Sequence, residues 1–265
     1  MEKTLAHPLF SQKLIDLKFK TLAKIANYFL SLGGISYYIF DETFSTRIVL
    51  FNYASHYAND DFPCDWKIIL YSSSGEKIFS KEGTFVGQAT VVVDLEEIKP
   101  KSKYGIVVAH IKPNNKGKIL SKSYDSIFFT EHYNRDNLYH DVAHSLRWPT
   151  SFKYLYNITG HGFSILSGAK AYLMIGNSYD AKIGGRNLMC VPTVELTNYM
   201  GKVRKVELSP IAPMGCIRAD LNELFPDLKD HFVGQPGMIK VIGANVIRKP
   251  FFYQTNGSYI SSDHL

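Results

Sequence analysis

The chain reads as a mainly β protein: tandem duplicated β-sandwiches, with an N-terminal helical segment in front and a short helical connector between the copies. Three observations predict this. The first is internal repetition. Cys64, Leu70, Gly75, Asp94, Leu95, Glu97 and Pro100 return as Cys190, Leu196, Gly201, Asp220, Leu221, Glu223 and Pro226. The offset is a constant 126 positions (190 minus 64, 226 minus 100), and self-similarity at a fixed period decides an architecture before local patterns do. The second is a series of short alternating apolar runs separated by Gly, Pro, Asn and Ser turns. The third is composition: 265 residues, 45% hydrophobic, with 17 Phe and 17 Tyr, suit two aromatic-rich β cores.

Residues 1–34 precede the first copy as a docking segment. Ile15, Leu17 and Phe19 alternate with Asp16, Lys18 and Lys20, a strand-like period of two. From Thr21 the period lengthens. Leu22, Ile25, Ala26, Phe29 and Leu32 share one helical face, with Gly33-Gly34 as a stop, which predicts a helix at 21–32 that covers a sheet.

The first copy spans 35–132, with strands expected at 35–40, 46–53, 66–72, 76–85, 89–94, 105–112 and 126–130. Ser73-Ser74-Gly75 between two β-rich runs predicts a hairpin. Residues 133–158 form the connector, with a short helix expected over 135–146 and ended by Trp148-Pro149, because the residue before proline avoids the helical region. The second copy spans 159–265, with strands at 162–166, 170–175, 193–198, 203–209, 216–220, 237–244, 251–254 and 259–261. Ser126–His132 is matched by Ser258–His264 at a larger offset of 132 (264 minus 132), which an insertion near Gly234-Gln235-Pro236 explains.

Asp94-Leu95-Glu96-Glu97 and Asp220-Leu221-Asn222-Glu223 each follow a strand and precede a proline. An Asp there caps a single helical turn joining two strands. Such a turn resembles the helical crossing of immunoglobulin- and fibronectin-like sandwiches. The resemblance covers the general fold only, since no Cys…Trp…Cys pattern is present.

Charge and cysteine content narrow the function classes. A net charge of +6 with no basic, aromatic-interleaved cluster argues against a nucleic-acid partner. The first residues lack the layout of a signal peptide, and no apolar run reaches the length of a membrane span. Three cysteines, an odd number, argue against a disulfide framework. Cys64 and Cys190 are repeat equivalents and suit small buried hydrophobes. The expectation is a reduced, cytoplasmic protein.

Several constellations bear chemistry. His140-Asp141-Val142-Ala143-His144 has the spacing of the H-E-x-x-H zinc signature with Asp in place of Glu. With His132 and His161 it makes a candidate metal set of His132, His140, His144 and His161, with Glu131 or Asp141 as base. Glu131-His132 and Asp263-His264 place an acid beside a histidine where each copy's last strand ends, although neighbours on a strand face opposite ways. The glycines of Gly160-His161-Gly162 and Gly184-Gly185-Arg186 suit turns, and Asp60, Asp61 and Asp180 are too few ligands for calcium. Tyr37, Tyr38, Tyr53, Tyr57, Tyr71, Tyr154, Tyr156 and Tyr179 form a tyrosine-rich set, and exposed tyrosines stack on sugars or peptide side chains.

The expected function is a non-catalytic binding or assembly module recognising a carbohydrate or protein partner. The alternative is a metal-dependent hydrolase-like enzyme with its His-rich site between the copies. A third reading docks the chain into a larger particle through residues 1–34.

Overall fold

Alternation along single strands decides which faces are inward. In β3 (Cys64–Ser72) Cys64, Trp66, Ile68, Leu70 and Ser72 are buried, while Asp65, Lys67, Ile69 and Tyr71 are less so. A strand presents successive side chains to opposite faces, so this pattern commits one face of its sheet to a core. The computed structural model describes residues 32–52, 55, 63–85, 87–113, 128–147, 156–166, 168–179, 188–232, 234–244, 246–247 and 250–264. The helix expected at 21–32 lies outside these residues except for Leu32.

Four antiparallel sheets carry the fold. Sheet I joins β4 (Lys77–Phe85), β3, β6 (Tyr104–Pro113), β1 (Leu32–Ile39) and β9 (Leu146–Arg147) in that order. Sheet II runs β5 (Thr90–Asp94), β2 (Phe44–Phe51), β7 (Phe128–Asn134), β8 (His140–His144). Sheet III runs β10 (Tyr156–Phe163), β15 (Gly237–Ala244), β12 (Thr193–Thr197), β13 (Val203–Glu207). Sheet IV runs β14 (Cys216–Asp220), β11 (Lys170–Gly176), β16 (Phe251–Thr255), β17 (Ile260–His264).

Three cores hold these sheets. Tyr38, Ile68, Leu70 and Val107 of sheet I meet Ile48, Leu50, Val93 and Phe128 of sheet II. Val194, Leu196, Ile239 and Val241 of sheet III meet Ala171, Leu173, Ile175 and Phe252 of sheet IV. The third core spans the two halves: Ile35, Tyr37, Ile106 and Val108 of sheet I face Met174, Cys216, Phe251 and Tyr253 of sheet IV. Tyr37 and Tyr38 are adjacent, so one ring enters the seam between the halves while the next enters the first core. Full burial of each large side chain stabilises by about 1.5–3 kcal/mol.

Both Asp-Leu segments form the expected capped turns. Asp94 starts α1 (Leu95–Ile98) by accepting from the Glu96 N–H at 3.0 Å, and Asp220 starts α2 (Leu221–Leu224) by accepting from the Asn222 N–H at 2.8 Å. The buried Leu95 and Leu221 then anchor each turn in its core. A third short helix, α3 (Leu228–Phe232), adds Leu228 and Phe232 to the second of these cores.

Two expectations are corrected. Residues 135–146 form no helix; they turn and return as β8, paired with β7 in the register Glu131↔Val142. The Asn134 side chain accepts from the Asp136 and Asn137 N–H groups, and Leu138 takes a positive φ of 59°, which reverses the chain. Gly33-Gly34, read as a helix stop, instead lies within β1, opposite His110 and Ala109. Glycine there leaves a strand interior with no side chain to pack.

Candidate functional site

Sheet IV turns one face toward the seam, and that face changes character along its length. Strand alternation puts Lys170, Tyr172 and Met174 of β11 on it, beside Thr255, Tyr253 and Phe251 of β16 in register. Arg218 of β14 joins them opposite Met174. Met174 and Phe251 are sealed in the seam core. The Lys170–Thr255 end emerges into a cleft of about 390 Å³.

The opposite wall is the β1–β2 turn, Asp41 to Phe44. One Asp41 oxygen accepts from the Thr43 and Phe44 N–H groups at 3.0 and 2.9 Å, which holds the turn. Its other oxygen accepts from the Arg218 guanidinium at 2.8 Å across the seam. Arg218 also lies 5.2 Å from the Tyr104 ring centroid and 5.5 Å from that of Tyr172, a cation–π arrangement that favours a partly desolvated guanidinium. Tyr172 in turn stacks on Tyr253 at 5.0 Å. Burial works against the Arg218 charge, but Tyr253 and Asp41 outweigh it, and its pKa is raised. Burial pushes the Tyr253 hydroxyl well above the usual phenol range, so it stays protonated.

The cleft floor is completed by the β16–β17 turn. Thr255 Oγ1 accepts from the Gly257 N–H at 2.9 Å, and Asn256 Oδ1 accepts from the Ser258 N–H at 3.0 Å. The Gly257 carbonyl accepts from Asn134 Nδ2 at 2.8 Å, tying this turn to sheet II. The arrangement offers an arginine, a lysine, two carboxylates, hydroxyls and tyrosine rings around one concavity, which is the makeup of a small polar ligand site. A wider groove of about 560 Å³ crosses β3, β4 and β6 on sheet I. There Lys67 pairs with Glu82 at 2.8 Å and Thr84 donates to Asp65 at 2.9 Å, so four of its polar side chains are engaged with one another along the strands. That makes it the weaker candidate despite its size.

The structure separates the sequence-predicted metal set. His132 is fully buried on β7, its Nδ1 3.0 Å from Thr46 Oγ1 and its ring 4.7 Å from Phe251. In register it faces Asp141, whereas His140 lies opposite Tyr133 and therefore on the other side of the sheet. His140 Nδ1 stands 3.9 Å from Glu131 Oε1, and His144 lies edge-on to Phe129. His161 sits on β10 opposite Ile239, in sheet III. Among the described residues, no group of three or more His, Cys, Asp or Glu is placed to hold a metal ion. Asp141 instead accepts from the backbone N–H and the hydroxyl of Ser262, linking β8 to β17. The matched acid–His ends also part company: His132 lies on inner strand β7, His264 on edge strand β17.

Among the predicted tyrosines, Tyr37, Tyr38 and Tyr179 are buried, while Tyr53, Tyr57 and Tyr154 lie outside the described residues, as do Asp60, Asp61, Asp180 and Gly184-Gly185-Arg186. Sequence reasoning missed Tyr104, Tyr172, Tyr253 and Arg218. One signal was available: Arg218 is a lone cation inside the apolar strand Cys216–Asp220. The three cysteines are buried and free of disulfides, with burial raising the Cys64 and Cys190 thiols to about 11 and about 12. Among the described residues no helix is long and apolar enough to cross a membrane. Compared with known proteins, the chain matches no family model and no curated protein sequence.

Proposed function

We propose that the chain is a non-catalytic binding module built from two related, immunoglobulin- or fibronectin-like β-sandwiches, and that it takes a carbohydrate in the cleft at their seam. The reading of two related units is supported by strand order. Sheet I through β4-β3-β6-β1 corresponds to β13-β12-β15-β10, and β5-β2-β7-β8 corresponds to β14-β11-β16-β17, each label raised by nine. A chance topology has no reason to repeat itself strand for strand.

The single observation that carries the binding reading is the Arg218 cleft. A sugar offers hydroxyls that donate and accept at fixed angles and a ring face with polarised C–H bonds. Fixed arginine and carboxylate groups suit the former, and a tyrosine face suits the latter. Fixing Arg218 beforehand between Asp41 and two rings lowers the entropy cost of binding. The placement of His132 and His140 on opposite faces of sheet II gives the metal-dependent hydrolase reading no comparable support. The three free, buried thiols suit a reducing compartment such as the cytoplasm.

The test is a glycan array probed with the purified full chain, followed by calorimetry on any retained glycan. Retention of at least one glycan is expected, with Tyr172→Ala weakening it about tenfold, the scale of one aromatic contact, at a near-native circular dichroism spectrum. An array with no retained glycan, or equal binding by a folded Tyr172→Ala protein, overturns the proposal.

A further inference from the structure

We infer that the ligand of the seam cleft is an acidic carbohydrate whose carboxylate is received by Lys170; this rests on the carbohydrate reading above and specifies its chemical class. The charges around the cleft lead there. Asp41 is committed to Arg218 at 2.8 Å and, through its other oxygen, to two backbone N–H groups of its own turn. Glu42 is committed to Lys103 at 2.6 Å. Each carboxylate on the cleft wall thus already has a cation, and each of those cations has its carboxylate. Lys170 lines the same cleft, and among the described residues no carboxylate pairs with it. Among the described residues, one positive charge is left over at the mouth.

The space beside that charge is open. Gly168 and Gly257 both line the cleft, at φ of +75° and +94°, and neither has any atom within 4 Å of where a Cβ would stand. At these two glycines the cleft beside the lysine is open space, not a packed wall. Strand register sets Lys170 opposite Thr255, with Tyr172 two residues further in. A sugar ring lying against Tyr172 would place a substituent two residues outward along β11, roughly 7 Å away, within reach of the ammonium group. Arg218 keeps donors for sugar hydroxyls, but its charge is already balanced by Asp41. Lysine suits it, because a flexible stem carrying a compact charge can reach a carboxylate whose position varies among sugars.

The test compares acidic oligosaccharides (oligogalacturonides, hyaluronan fragments and sialyllactose) with the same compounds after carboxyl reduction, using the full chain in calorimetry at low and high salt. At least one acidic probe is expected to bind about fivefold more tightly than its reduced form, as befits one partly exposed ion pair, with the difference shrinking in high salt. Lys170→Met should bring the two forms to parity, and Lys170→Arg should keep most of the preference. Equal binding of a reduced probe and its parent, or a preference that survives Lys170→Met, overturns the acidic-ligand inference while leaving the carbohydrate site standing. Binding of no acidic probe overturns the acidic-ligand inference, and an array that retains no glycan at all removes the carbohydrate reading with it.

Discussion

Asp94 and Asp220 carry the same local job with different neighbours. Each accepts a backbone N–H at the start of a helical turn. Asp94 also accepts from Arg47 Nε at 2.9 Å and from the Tyr133 hydroxyl at 2.8 Å. Burial pushes the Asp94 carboxyl up, but the Glu96 N–H, Tyr133 and Arg47 together outweigh it, leaving its pKa below the usual value. Asp220→Ala should therefore cost about 1 kcal/mol, the loss of one cap. Asp94→Ala should cost about 2 kcal/mol, because Tyr133 and Arg47 lose a partner as well. The sign with pH follows from the lowered native pKa. The extra stability is complete above the unfolded carboxyl range, about 3.9, and is lost as the pH falls through the native value. Urea midpoints of both variants at pH 7 and pH 3 check this; an excess for Asp94→Ala that does not shrink in acid would count against it.

At the scale of elements, two hairpin glycines separate turn chemistry from packing. Gly75 and Gly201 stand 126 positions apart (201 minus 75), each in a hairpin turn, with φ of +86° and +77°. A Cβ at Gly201 would meet nothing within 4 Å, whereas one at Gly75 would stand 2.1 Å from the Pro213 carbonyl oxygen in the other half. Gly201→Ala should cost about 1 kcal/mol of backbone strain. Gly75→Ala should cost about 2–4 kcal/mol, since strain and overpacking add, and equal losses in thermal unfolding would refute the contrast. The hairpins were legible in the sequence because alternation and turn residues are local signals. The expected strands 216–220 and 237–244 match β14 and β15 end to end, and both Asp caps stand where the Asp-Leu segments predict. Strand β8 was not legible. His140 and His144 imitate a helical spacing, and what holds Asp141 is Ser262, 121 residues away. The cleft was hidden for the same reason. Lys170, Arg218 and Asp41 are brought together by sheet register and by a contact across 177 residues, which no window along the chain contains.

At the scale of the whole molecule, the seam makes the two halves one cooperative body. Its core takes Tyr37 and Val108 from one half and Met174, Phe251 and Tyr253 from the other, and separation would expose all of them to water. Polar contacts cross it too. The Tyr37 hydroxyl accepts from the Gly176 N–H at 2.9 Å, and the Ser73 carbonyl accepts from the Cys216 N–H at 2.9 Å. Exposing that surface opposes unfolding either half alone, so the expected connector at 133–158 should not behave as a thermodynamic boundary. Tyr37→Phe tests this with a single atom. Removing the hydroxyl leaves the buried Gly176 N–H without this acceptor, at a cost of about 1–3 kcal/mol. The deleted atom belongs to sheet I and the orphaned group to sheet IV, so both halves should lose stability together. Hydrogen exchange of slow amides in β3 and in β12, followed in parallel, reads each half separately. Equal loss of protection in the two strands is the expected result. Loss confined to one of them, or two resolved urea transitions in the unaltered chain, would mean that the halves fold as independent units and that the seam is a contact rather than a shared core.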